Sequence, residues 1–215
     1  MAQSPGAGFG NRTPAGNCIL TILYLVRHGK TDYSGHRISG YLPWIHLNEE
    51  GRLQAAKAAD FLARFPIQYI YASPMERTME TAAIIAGRHA LPIVQVDFLK
   101  EINFGDFQGK GQELLQNPTW QAFHSTPSQV RFPAGESVQE AQRRVVQGLD
   151  DLARTHTSAE EIVCVAHCEI LRLVLAHALA MPLDAFMRLT IDTASVSKVE
   201  WDPARQRILL LNYSP

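Results

Sequence analysis

The stretch of sequence that decides the fold reads Leu23-Tyr24-Leu25-Val26-Arg27-His28-Gly29-Lys30-Thr31. The apolar run from Ile19 to Val26 predicts a strand that is buried on both faces, as in a parallel sheet covered by helices. It breaks abruptly at Arg27-His28-Gly29, where a permanently charged guanidinium and an imidazole meet a flexible glycine. Ligands bind at the carboxyl ends of strands in open α/β sheets, so this break predicts part of a ligand site.

The composition is that of an ordinary globular domain. The chain has 215 residues, of which 46% are hydrophobic and 19% charged, and this length suffices for one well-buried α/β domain. The formal net charge of −1 provides no global basic field, so nucleic acid is not an expected partner. No apolar run approaches the roughly 20 residues that span a bilayer, so no membrane partner is expected either.

The cysteines and the first residues bear on location and domain limits. Cys18, Cys164 and Cys168 form an odd set without a Cys-x-x-Cys pair, which favours free thiols in a reducing, cytoplasmic compartment. Residues 1–17 are rich in Gly, Pro, Ser and Asn and lack the continuous apolar core of a signal peptide. We expect a disordered or loosely ordered tail there, followed by a single domain over residues 18–215.

Strands and helices alternate along the rest of the chain. Asn48 predicts the start of a helix that runs to about Arg64, and Ser73-Pro74 predicts the cap and first position of the next helix. The further predicted elements are the strands Gln68 to Ala72, Ile93 to Val96 and Ile162 to Ala166, a helix after a capping box at Ser137, a helix from Glu169 to Met181, and a final antiparallel hairpin of Val196 to Trp201 with Ile208 to Tyr213. This alternation predicts a three-layer α/β/α fold with a mostly parallel sheet, and residues 111–132 a small cap insertion.

Charged side chains recur where the predicted strands end. Arg77 follows the second strand and His167 follows the strand that ends at Ala166, so both join Arg27 and His28 at one edge of the sheet. Two guanidinium forks with imidazole donors suit a tetrahedral phosphate dianion, because guanidinium binds phosphate oxygens bidentately. The sequence therefore predicts a small-molecule phosphate ester as ligand.

The same side chains predict chemistry on that phosphate. A neutral imidazole of His28 is a competent nucleophile, and Arg27, Arg77 and His167 would stabilise the charge of the transferred phosphoryl group without a metal or cofactor. Glu101 is the predicted proton donor to the leaving oxygen, since its apolar neighbours would raise the pKa of its carboxyl group by desolvation. It would then deprotonate the water that hydrolyses a phosphohistidine.

Five segments in order resemble the histidine phosphatase superfamily, the phosphoglycerate mutase-like proteins. They are residues 27–31 (family signature RHGET), 73–82 (SPLxRTxxTA), 101–105 (ExxFG), 133–137 (PGGES) and 166–172 (around His-Gly-Gly-x-x-Arg). The resemblance implies the phosphoglycerate mutase-like fold, phosphorylation of His28, a phosphate site made by Arg27, Arg77 and His167, and proton donation by Glu101. The chain resembles the phosphatase branch of the superfamily, because its predicted cap is short and poor in Lys and Arg.

Four more positions are predicted to contact substrate: Ser34, Arg37, Gly40 and Cys168. Ser34 stands where the family often has Asn, and Cys168-Glu169 replaces Gly-Gly after the second histidine. A carboxylate facing the pocket would repel an anionic leaving group, so Glu169 is predicted to favour a substrate with a neutral or cationic group. His36 and His46 are predicted to reach the pocket rim.

Other functions remain as alternatives or are set aside. A phosphoglycerate mutase-type transfer is the first alternative, and a non-catalytic phosphate-binding protein the second. A zinc hydrolase is disfavoured because His-Glu-x-x-His is absent, and a phosphate-binding P-loop because the segment from Gly105 to Lys110 has the wrong spacing. The final hairpin could pair across a homodimer.

Overall fold

A single six-stranded sheet forms the centre of the protein. The computed structural model describes residues 20–156 and 160–215, so the predicted tail of residues 1–17 lies outside the described residues. The strands are β1 (Thr21–Arg27), β2 (Ile67–Ala72), β3 (Ile93–Gln95), β4 (Glu161–Ala166), β5 (Val196–Asp202) and β6 (Arg205–Tyr213). Their order is β3-β2-β4-β1-β5-β6. The first four strands of this order are parallel to one another, β5 is antiparallel to β1, and β6 is antiparallel to β5. The mostly parallel sheet and the final hairpin are as predicted.

Helices cover both faces of the sheet. They are α1 (Glu49–Leu62), α2 (Glu76–His89), α3 (Pro118–Ser125), α4 (Val138–Thr155) and α5 (Cys168–Ala178). The pair α1 and α2 packs on one face, and α4 and α5 pack on the other. This confirms the predicted three-layer α/β/α fold. None of the helices in the described ranges is long and apolar enough to cross a membrane.

Side chains of the central strand β1 are buried on both faces of the sheet. Leu23 and Leu25 belong to the core under α4 and α5, whereas Tyr24 and Val26 belong to the core under α1 and α2. All four side chains are buried. Since alternate residues of a strand point to opposite faces, a continuous apolar run requires cover on both sides.

The capping signals predict the starts of α1 and α4 correctly and the start of α2 wrongly, and α5 covers Cys168–Ala178 where Glu169 to Met181 is predicted. Asn48 caps α1 through its side chain, and Ser137 and Glu140 form the predicted capping box of α4. The prediction for α2 is wrong, because the helix begins at Glu76 after Met75, which makes no side-chain cap. The Ser73 hydroxyl instead bonds the buried ring of His167, so a tertiary contact replaces the local one.

Residues 111–132 form short pieces around an aromatic cluster. They comprise α3 and two 3-10 turns, Gln112–Leu114 and Pro127–Gln129. Trp120 and Phe123 of α3 pack against Phe104 and Phe132, with ring centroids 4.8 to 6.4 Å apart within this set. The predicted cap segment is thus anchored by aromatic packing to Phe104, in the segment that follows Glu101.

Candidate active site

Strand register brings the two predicted active-site histidines together. Arg27 at the end of β1 pairs with Ala166 at the end of the parallel neighbour β4, so the next residues, His28 and His167, leave the sheet side by side. Their ring centroids are 5.3 Å apart. The strand β2 ends on the other side of β4, which delivers the segment carrying Arg77 to the same edge.

Each of the two arginines donates a hydrogen bond to a backbone carbonyl and has other N–H donors without partners among the described residues. Arg27 donates from one terminal nitrogen to the Ile191 carbonyl at 2.6 Å, and Arg77 donates from Nη2 to the Gly40 carbonyl at 2.9 Å. Arg77 has no exposed surface, and burial lowers the pKa of its guanidinium to about 10, which still leaves it charged at neutral pH. Arg27 Nε, Arg77 Nε and Arg77 Nη1 are buried without hydrogen-bond partners among the described residues.

Unpaired buried donors of this kind are costly unless a ligand binds them. A buried N–H without a partner costs about 1 to 3 kcal/mol, and more on a charged group. Arg27 and Arg77 line one cavity of about 370 Å³ together with His28 and Glu101. The arrangement therefore fits an anion with several acceptor oxygens.

The hydrogen bond made by His28 leaves one ring nitrogen free for the predicted nucleophilic role. Its Nδ1 lies 2.8 Å from the Gly29 carbonyl oxygen, which only accepts, so Nδ1 carries the proton and Nε2 keeps its lone pair. Burial first, and then the charges of Arg77 and Arg27, hold the pKa of His28 well below its usual range. The ring is therefore neutral at neutral pH.

His167 lies beside this nucleophile with one nitrogen fixed. Its Nε2 is 2.8 Å from the Ser73 hydroxyl oxygen, and its Nδ1 is buried without a partner in the described part of the chain. If the hydroxyl donates to Nε2, Nδ1 carries a hydrogen that can be donated to a phosphate oxygen. Burial and the neighbouring Arg77 hold the pKa of His167 well below its ordinary value.

Glu101 is a buried carboxyl group in the same cavity. Its side chain accepts a hydrogen bond from the Ile102 amide at 3.0 Å, and the residue is 8% exposed. Burial is the largest cause that raises its pKa to about 7, and the charge of Glu169 raises it further. A carboxyl group with this pKa can both donate and accept a proton near neutral pH.

The other predicted contacts divide into residues that line the cavity and one that does not. Ser34, Arg37, Gly40 and Cys168 all line the cavity, and so does His36. The Ser34 hydroxyl already bonds the Thr31 amide and hydroxyl at 3.0 and 3.1 Å. His46 is paired with Glu80 on α2 and does not line the cavity, so its predicted place at the rim is wrong.

The sequence patterns do not identify several residues that support the site. Arg144 on α4 donates to the backbone carbonyls of Phe98, Lys100 and Glu101 at 2.9 to 3.1 Å, and so fixes the loop that contains Glu101. Gln108 accepts from the Tyr41 amide next to Gly40. No local pattern marks these residues, because their partners lie more than 40 positions away. Ser73 lies in a motif that the sequence shows, but the local pattern predicts a helix cap and not its bond to His167.

The described residues hold no group of three or more His, Cys, Asp or Glu side chains placed to bind one metal ion. What they bring together is a neutral imidazole nucleophile, two guanidinium groups, a second imidazole and a carboxyl group of raised pKa. This set suits phosphoryl transfer, which needs positioning and charge stabilisation more than covalent chemistry from the protein.

A family model described as the histidine phosphatase superfamily, branch 1, matches residues 23–214. The chain belongs to this superfamily. Phosphoserine phosphatase 1 of Hydrogenobacter thermophilus is 31% identical over 197 residues, covering 90% of this chain and 92% of that protein. Membership and the phosphatase names of the relatives support the predicted phosphomonoesterase activity.

Solved structures agree with this assignment. A mycobacterial glucosyl-3-phosphoglycerate phosphatase matches with a TM-score of 0.81 at 26% identity, covering 90% of this chain and 99% of that chain. Phosphoserine phosphatase of Entamoeba histolytica, in complex with 3-phosphoglyceric acid, matches with a TM-score of 0.81 at 25% identity, covering 90% and 98%. The phosphoglycerate mutase-like fold is thereby confirmed.

Proposed function

We propose that this protein is a metal-independent phosphatase that hydrolyses small-molecule phosphate monoesters through a phosphohistidine at His28. The observation that carries the proposal is the pair of arginines Arg27 and Arg77, which line one cavity with a neutral His28 and have buried N–H groups without partners among the described residues. A cytoplasmic location remains part of the proposal, and the free thiols of Cys164 and Cys168 are consistent with it.

The first half-reaction transfers the phosphoryl group to the enzyme. Nε2 of His28 attacks phosphorus in line, the bond between phosphorus and the leaving oxygen breaks, and Glu101 gives its proton to that oxygen. Arg27, Arg77 and His167 stabilise the three equatorial oxygens during the transfer. The alcohol leaves, and Glu101 remains as a carboxylate beside the phosphohistidine.

The second half-reaction returns the enzyme to its starting state. The Glu101 carboxylate accepts a proton from water, whose oxygen attacks phosphorus while the bond between Nε2 and phosphorus breaks. Inorganic phosphate leaves, Glu101 is protonated again, and His28 is neutral. One carboxyl group with a pKa of about 7 serves both steps, since it is close to half-protonated at neutral pH.

The experiment that tests this function is phosphate release from a panel of monoesters in the presence of EDTA. We expect the wild type to resist chelation, and His28→Ala to lose activity by about 1000-fold or more. His89→Gln, at the end of α2 and away from the cavity, is the matched histidine control and keeps its activity.

Three results would contradict the proposal. Turnover abolished by EDTA would indicate a metal-dependent reaction. Transfer of phosphate between hydroxyl groups of phosphoglycerate without release would identify the mutase alternative. Binding of esters without turnover would favour the phosphate-binding protein.

A further inference from the structure

The cavity has an apolar wall beyond the phosphate-binding groups. Phe104, Trp120 and Phe123 line it, with ring centroids 5.4 to 6.4 Å apart, and Leu115 lines it with 60% of its surface exposed. Phe104 and Phe123 are almost completely buried in the aromatic cluster of residues 111–132, so the half-buried Trp120 and the exposed Leu115 supply most of the accessible apolar surface. This apolar surface lines the same cavity as Arg27, His28 and Arg77, so the leaving group of a bound ester can contact it.

Several polar side chains that share this cavity already have partners within the protein. Both carboxylate oxygens of Glu169 accept from Arg172, at 2.9 and 3.2 Å. The Ser34 hydroxyl is bonded to Thr31, and the Cys168 thiol contacts the Ile191 carbonyl at 3.7 Å. A leaving group with several hydroxyl groups would lose bonds to water there and regain few from these side chains, which is unfavourable.

The pairing also changes the expected effect of Glu169. Its carboxylate is paired with Arg172 on the same helix, so it offers no unpaired carboxylate to a cation, although its charge still raises the pKa of Glu101. The exposed Arg37 and the half-buried Lys110 are the cationic groups of the cavity lining beyond the phosphate site, and both lie close enough to the Glu113 carboxylate to lower its pKa, so part of their charge is offset within the protein.

We infer that the preferred substrate is a phosphate monoester with an uncharged, apolar leaving group, such as an arylalkyl or branched alkyl alcohol, which packs on Trp120, Phe104 and Leu115. This inference rests on the proposed function, because it describes the leaving group of that reaction. Apolar contact with the leaving group is the main source of discrimination between substrates, because all of them share the phosphate and the groups that bind it.

The test compares three esters of primary alcohols that differ in one group: 2-phenylethyl, 2-hydroxyethyl and 2-aminoethyl phosphate. Their leaving groups are all alkoxides, so the comparison reports binding of the alcohol more than its reactivity. We expect kcat/KM for the phenylethyl ester to exceed the other two by about tenfold or more, as burial of a ring predicts.

A surface substitution isolates the apolar wall. Leu115→Ser is expected to lower the kcat/KM ratio of the phenylethyl to the hydroxyethyl ester by about three- to tenfold. The ratio is independent of the fraction of active enzyme, so a folding loss does not imitate the effect. Leu53→Ser is the matched control, because Leu53 is 63% exposed on α1 and does not line the cavity.

The outcomes separate this inference from the function on which it rests. Equal or better turnover of the hydroxyethyl or aminoethyl ester, or an unchanged ratio in Leu115→Ser, overturns the apolar leaving group and leaves the phosphatase intact. No turnover of any of the three esters overturns the proposed function itself.

Discussion

Glu101 shows how a single residue determines both a reaction and its pH range. Its neutral form is needed in the first step, and its pKa is raised to about 7, chiefly by burial. We predict that kcat/KM falls above pH 7, by about tenfold per pH unit, as the proton donor is lost. The basic limb of kcat should lie at higher pH, because a bound phosphate dianion raises the pKa of Glu101 further.

Pre-steady-state and steady-state pH profiles measure both limbs. Glu101→Gln should lower kcat by about 100-fold or more and remove the basic limb. The assignment of the proton donor would be wrong if kcat/KM of the wild type stayed constant to about pH 9.

The same burial of Glu101 lowers the stability of the folded protein at alkaline pH. The folded-state pKa of about 7 lies above the ordinary value of 4.5, so the folded protein binds the proton more tightly. Stability is therefore greatest below pH 4.5 with respect to this group, and decreases as the pH rises through about 7. The difference corresponds to about 3 kcal/mol as an order of magnitude.

We accordingly predict that Glu101→Gln raises the melting temperature at about pH 8 and has little effect at about pH 5. Thermal denaturation of the two proteins at both pH values measures this, and the other buried groups cancel in the comparison. A stabilisation of equal size at both pH values would show that the carboxylate charge is not its cause.

At the scale of elements, the loop that contains Ile38 and the loop that contains Gly109 are hydrogen-bonded to each other, and this contact positions Arg77. The Ile38 amide donates to the Lys110 carbonyl and the Gly109 amide donates to the Ile38 carbonyl, both at 2.8 Å. Gln108 accepts from the Tyr41 amide, beside the Gly40 carbonyl that binds Arg77. Gly40 has a φ of +46° and no room for a side chain against Gln108, so the turn requires glycine.

Gln108 is thus a positioning residue for Arg77. We predict that Gln108→Met lowers kcat/KM by about tenfold and weakens inhibition by inorganic phosphate, because the Gly40 carbonyl is no longer fixed. Gln108→Glu keeps the acceptor oxygen and should restore most of the activity. Equal losses in both variants, or a loss without any change in phosphate inhibition, would contradict this role.

The elements also show where sequence patterns are sufficient. Caps at Asn48 and Ser137 are local signals, and both helices begin as predicted. The start of α2 was missed because the buried ring of His167 competes for the Ser73 hydroxyl, and that partner lies 94 positions away. The conformation of the cap depends on packing of Trp120 and Phe123 against Phe104, which no local pattern encodes.

For the molecule as a whole, the order of strands explains why a phosphate site arises from dispersed residues. Parallel β1, β4 and β2 end at one edge, which the sequence predicted, but the hydrogen bonds that fix each side chain come from loops whose courses it did not predict. The predicted homodimer stays a prediction, and β6 at the sheet edge carries the exposed Leu209 and Leu211.

The unpaired buried N–H groups predict strong stabilisation of the whole protein by phosphate. Phosphate at about 100 times its Kd should add about 2.7 kcal/mol to the free energy of unfolding and raise the melting temperature by about 5 to 10 °C. Arg77→Met should abolish the shift, measured against sodium chloride of equal ionic strength. An undiminished shift in that variant would place phosphate elsewhere.

The most direct test of the central claim is to trap the phosphoenzyme. Enzyme mixed with substrate in EDTA is quenched with base within the first turnover, digested, and analysed by mass spectrometry, with His28→Ala as the control. We predict a phosphoryl group on His28 that is stable in base and released in acid, and none in the variant. Full turnover with no phosphorylated His28 at any quench time, or phosphate on another residue, would contradict the account.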